Sequence, residues 1–177
     1  FAAQMFALTA AFGFFKRAGD LSVMQQGQVA YASATGIAMK SLANDITAAT
    51  GAQITFRDAS QAAAIGTAAG LSADQLVRLG SAAKDASAVL GRDVTDAFNR
   101  LVRGVTKAEP ELLDELGIIL RLDTASENYA RSLGKAAGDL TQFEKSQAVA
   151  NEVLSQAEKK YSAILAVTGG GAVNQFA

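Results

Sequence analysis

The chain has no Cys, His or Trp, a single Pro, and little aromatic content for its length of 177 residues. Without Cys, disulfides, Cys-ligated zinc, iron–sulfur clusters and thiol nucleophiles are excluded. Without His, a catalytic triad with a His base and the usual transition-metal sites are excluded. The charge is almost balanced, with 16 Lys and Arg against 17 Asp and Glu. Together with a pI near 5.5, this speaks against a nucleic-acid footprint. Half of the residues are hydrophobic although only 7% are aromatic. Ala makes up the difference, at roughly a fifth of the chain.

Charge is also scarce locally. Between Phe1 and Gly70 the charged residues are Lys16, Arg17, Asp20, Lys40, Asp45, Arg57 and Asp58. Five Phe residues (Phe1, Phe6, Phe12, Phe14 and Phe15) crowd the same end. The run FAAQMFALTAAFGFF would span on the order of 22 Å as a helix, short of the ~20 residues a bilayer requires. It lacks a basic region in front, so it makes a poor signal peptide. Burial against protein is the preferred reading and lipid the competing one. Such a Phe cluster exceeds what a soluble monomer normally exposes. These five residues are therefore the candidate contacts with other copies or with surrounding proteins. Ala30, Ala34 and Ala38, four apart, would permit close helix approach. The chain begins with Phe and closes on TGGGAVNQFA, so a fragment of a longer protein is expected.

The rest reads as punctuated helices. Val94, Ala97, Phe98, Leu101, Val102 and Val105 form one stripe at helical spacing. The opposite face carries Asp93, Asp96, Asn99, Arg100, Arg103 and Lys107, acids early and bases late as the helix dipole favours, and reads as solvated. Capping boxes are expected at Ser72/Gln75, Thr124/Glu127 and Thr141/Glu144. The first would open a helix with Leu76, Leu79, Ala83 and Leu90 on its apolar side. Pro110 suits the first turn of a short helix whose apolar side is Leu112, Leu113 and Leu116. Stops are expected at Gly51, Gly70, Gly91, Gly117 and Gly169. A long helix from Thr141 toward Val167 carries a heptad-like seam of Phe143, Ala150, Leu154, Ala157, Tyr161 and Ile164. Gln53–Phe56 and Ile118–Leu122 are β-prone and are expected to pair as a short ribbon packed against helices.

The fold class expected is all-α: an extended multi-helix assembly with an apolar N-terminal helical segment and at most one two-stranded ribbon. Residues 1–51 form the Ala/Phe-rich segment, 52–167 a helical domain, and 168–177 a Gly-rich linker. Glu109, Glu111, Asp114 and Glu115 are the densest carboxylates, with Glu111 and Glu115 on one helix face. Paired carboxylates can hydrolyse glycosides, but acids at a helix N-terminus are stabilising without catalysis, and that is the preferred reading. The triple glycine at 169–171 lacks the Lys-Ser/Thr of a phosphate loop. No enzyme, cofactor or metal is expected.

The blocks LGRDVTDAFNRLVRGV, EPELLDELGI, YARSLGK and LTQFEKSQAVANEVL, in that order, resemble the tape measure proteins of tailed bacteriophages, prophages and tail-like particles. The upstream AAGLSADQLVRLGSAAKDAS also fits, and the resemblance covers about Ala52 to Tyr161. Within it, Phe98, Leu101, Pro110, Leu112, Leu113, Leu116 and Gly117 are the motif positions expected to serve packing. The resemblance implies a long helical chain lying in several copies in the tail lumen or tip, setting tail length and leaving ahead of the DNA. Its implied partners are other copies, tail tube and tip proteins and, on ejection, the host membrane, with no sequence-specific nucleic acid. The implied location is the virion, and the host cytoplasm during assembly. The alternative is a helical segment of a secreted or membrane-active translocator or pore former.

Overall fold

The computed structural model describes residues 38–168. Every regular element among them is helical: α1 (Met39–Ala49), α2 (Phe56–Ala68), α3 (Ala73–Leu90), α4 (Val94–Lys107), the short α5 (Pro110–Asp114), α6 (Leu122–Ser132), a 3-10 turn (Ala137–Asp139) and α7 (Gln142–Thr168). The chain is all-α over this range.

The starts of these helices are written in polar side chains. Ser72 Oγ accepts from the Gln75 amide at 3.1 Å, and Gln75 Oε1 accepts from the Ser72 amide at 3.0 Å, closing the expected capping box of α3. Thr141 and Glu144 do the same for α7, at 3.2 and 2.8 Å. Thr55 and Asp93 cap α2 and α4 by accepting from amides three residues on. The third expected box is not formed. The helix α6 begins at Leu122, so Thr124 and Glu127 lie inside it, and the N-cap position Arg121 offers no side-chain cap.

α3 is the hub, packing against α1, α4 and α7, with α2 between α1 and α4 and with α6 on α7. Small side chains allow the close approach. Ala59, Ala62, Ala63, Ala64 and Gly66 of α2 are buried, and a Cβ added at Gly66 would lie 2.4 Å from Leu76 Cδ2. The α4 stripe is buried along its whole length, and Phe98 and Leu101 reach 0% exposure. Met39, Leu42, Ala43 and Ile46 of α1, which precede the boundary drawn after Gly51, belong to the same buried cluster. Leu76, Leu79 and Ala83 are buried as their spacing requires, whereas Leu90 at the end of α3 is exposed. In the α7 seam, Ala150, Leu154, Ala157 and Tyr161 are buried and Ile164 is half-buried. Phe143 is 59% exposed, because α7 starts at the margin of the bundle, where its ring sits over Gly70.

No strand occurs among the described residues, so the expected ribbon is corrected. Ile54 is buried and Thr55 caps α2, which turns Gln53–Phe56 into a helix entry. The run 118–121 keeps the alternation of a strand, with Ile118 and Leu120 buried and Ile119 62% exposed. Its partner is a helix side chain instead of a second strand. Ile119 N–H donates to Gln156 Oε1 at 3.0 Å, and Gln156 Nε2 donates to the Ile119 carbonyl at 2.9 Å. One amide thus supplies the donor and acceptor that a neighbouring strand would have offered.

Candidate functional site

The carboxylate cluster and the motif positions meet where α5 packs on α4 and the turn after it is held by α7. Pro110 opens α5 at its first turn, where its missing N–H leaves nothing unpaired. Leu113 and Leu116 are fully buried, Leu112 is half-buried, and Gly117 is an exposed turn residue at φ +68°. Of the seven motif positions, then, Phe98, Leu101, Leu113 and Leu116 form core. Pro110 and Gly117 shape the chain around it.

Three side chains of α7 hold this turn. Tyr161 is buried, and its hydroxyl donates to the Leu116 carbonyl. Burial pushes the phenol up to about 12. Lys160 Nζ donates to the Gly117 carbonyl at 2.9 Å, and Gln156 pairs with Ile119. Tyr161 carried a sequence signal as a seam residue. Gln156 and Lys160 carried none, because their partners lie 37 and 43 residues away. Further along α7, Glu158 takes a two-bonded guanidinium contact from Arg78 at 2.8 and 3.0 Å, and Asn151 Oδ1 accepts from the buried Gln75 at 3.0 Å.

Glu111 and Glu115 stand in different surroundings. Glu115 Oε2 is engaged by Arg92 at 3.1 Å and by Arg100 at 2.8 Å, and both arginines also hold Asp96. The hydrogen bond from Arg100, with Arg92 assisting, keeps the Asp96 carboxyl below the usual carboxylate range. The polar face of α4 is therefore partly tied to the loop before it and to Glu115 after α5. Glu111 and Asp114 stay exposed. Changing Glu111 and Glu115 together to Gln is expected to shift the urea midpoint by no more than about 1 kcal/mol of stability, because half-exposed ion pairs are weak. No group of three or more His, Cys, Asp or Glu able to hold a metal occurs among the described residues.

Among the described residues Glu144 is the most strongly shifted carboxyl. The Lys135 ammonium and the Thr141 amide hold it at about 2, down from 4.5. A carboxyl depressed on folding contributes stability that is present above its unfolded value. That contribution is lost as pH falls from 4.5 toward 2. Glu144→Gln is expected to flatten the acid limb of thermal melts in that window, and to leave the slope near pH 7 unchanged.

Phe1, Phe6, Phe12, Phe14, Phe15, Ala30, Ala34, Gly169 and the linker from Gly169 onward lie outside the described residues. Among the described residues no helix is long and apolar enough to cross a membrane. No family model matches the chain. No solved structure matches it either.

Proposed function

We propose that the chain is a structural segment of a tail tape measure protein, acting through helix packing and assembly and not through catalysis. The observation that carries this reading is the ordered set of blocks from Leu90 to Leu154. Support comes from how those blocks are used. LGRDVTDAFNRLVRGV supplies the buried stripe of α4, EPELLDELGI supplies the buried Leu113, Leu116 and Ile118, and LTQFEKSQAVANEVL supplies the capped start and buried seam of α7. The cluster that could have argued for hydrolysis has its Glu115 occupied by arginines. On this reading the partners are other copies and the tail tube and tip proteins, with Phe1, Phe6, Phe12, Phe14 and Phe15 as contacts. The place of action is the tail lumen or tip.

Tail particles purified from the producing bacterium on a density gradient provide the test. Trypsin releases the peptide Ala108–Arg121, flanked by Lys107 and ending at Arg121. Mass spectrometry should find it in the fractions that hold the tail tube protein. Lengthening the parent reading frame in frame should lengthen the tails, by up to about 1.5 Å per added residue if the insert is helical. Recovery of the peptide only from membranes, or only from particle-free medium, would overturn the reading in favour of the translocator.

A further inference from the structure

A cleft of about 210 Å³ opens where three helix ends converge. The last turn of α4 gives Val105, Thr106 and Lys107; α6 gives Leu122 and Ser126; the first turns of α7 give Gln142, Lys145, Ser146 and Val149. Its floor is apolar, since Val105 and Val149 are buried, and Leu122 stands at the rim, partly in solvent. Its charge has one sign. Lys107 and Lys145 line it and no carboxylate does.

The surrounding charges leave that sign standing. Lys107 has Glu109 at 3.8 Å, a loose contact between half-exposed groups. Lys145 is in no ion pair among the described residues. Glu144, the nearest acid in sequence to Lys145, is already engaged by Lys135 and the Thr141 amide. Asp123 and Glu127 of α6 lie outside the lining. The groove between α2 and α4 differs, because Asp58 and Arg103 share its rim and select no charge.

We propose that this cleft is a docking notch for an acidic amphipathic segment of a partner protein. An aliphatic side chain of the partner sits on Val105 and Val149 beside Leu122, and a neighbouring carboxylate meets Lys107 and Lys145. The volume sets the class of occupant. It lies below the ~300 Å³ at which small-molecule sites begin, and it matches the room taken by one or two side chains. An apolar floor with a polar, hydroxyl-bearing rim is the pattern by which a helix is seated in a groove. Lysines reach a carboxylate as point charges, without the fork that a dedicated phosphate site would use. The notch is independent of the parent chain's place in a particle.

The test uses the 177-residue chain and a short fluorescein-labelled helical peptide with glutamate and leucine on successive turns. The control peptide carries lysine for every glutamate. Anisotropy should rise with the acidic peptide and not with the control, and the affinity should fall as salt is raised. Lys107→Gln with Lys145→Gln should weaken binding roughly three- to tenfold, as two rim charges would. Both positions are solvent-facing, so the variant should fold, as circular dichroism would verify. Methyl NMR should place the shifts on Val105, Leu122 and Val149. The proposal fails if the acidic peptide does not bind, or if the double variant binds it equally well. It also fails if the shifts fall elsewhere, or if inorganic phosphate alone produces the same shifts and displaces the peptide, which would mark a small-anion site.

Discussion

Replacing Phe98 with Ala is expected to destabilise the chain by about 3–5 kcal/mol, read as a fall in the urea midpoint without a change in slope. The ring is fully buried in the middle of the α4 stripe. α4 packs on α2, α3, α5 and α7, so the void would be lined by several helices. A site held from several sides collapses poorly, which places the loss toward the upper part of the range. Leu101, one turn on and equally buried, should lose about 2–5 kcal/mol on truncation to Ala. A small domain has only about 5–15 kcal/mol in total, so either variant approaches the margin of folding. A change within error would mean that the stripe faces water.

The α4 stripe was legible because everything that defines it is local. Six apolar residues at steps of three and four, an Asp cap and an acid-to-base gradient all lie within one helix. The capping boxes at Ser72 and Thr141 were legible for the same reason. The Thr124 box shows the limit of local pattern. The same spacing occurs there, but Leu122 had already been drawn into α6, and a Thr inside a helix cannot cap it. The run 118–121 marks a second limit. Its β-prone residues suggested a strand partner, and nothing in the run could indicate that a glutamine 37 residues away would pair with it instead. The arginine clamp on Glu115 was hidden similarly, since Arg92 lies 23 residues earlier. The cleft at Lys107 and Lys145 draws on three helices, and none of them shows it alone.

Substituting Val for Gly104 is expected to cost about 2 kcal/mol, although it removes a glycine from the interior of a helix. Helix propensity favours the change by a few tenths of a kcal/mol. Packing opposes it more strongly. Gly104 is buried, and a Cβ there would lie 2.7 Å from both Leu113 Cδ2 and Cγ. Leu113 is itself fully buried, so it has no solvent to retreat into. Forcing extra methyl groups into such a contact costs about 1–3 kcal/mol. The glycine in LVRGV and the leucine in ELLDEL are therefore two halves of one contact, by which α5 folds back on α4. Their coupling is the sharper measurement. Leu113→Ala alone should lose about 2–5 kcal/mol through the cavity it leaves. In the double variant the added valine methyl groups enter that cavity, so its loss should fall short of the sum of the two single losses by about 0.5–3 kcal/mol. Strict additivity would show that Leu113 swings clear of position 104 without cost. The turn between α4 and α5 would then owe its closeness to the left-handed Ala108, at φ +51°, and to the arginine clamp on Glu115.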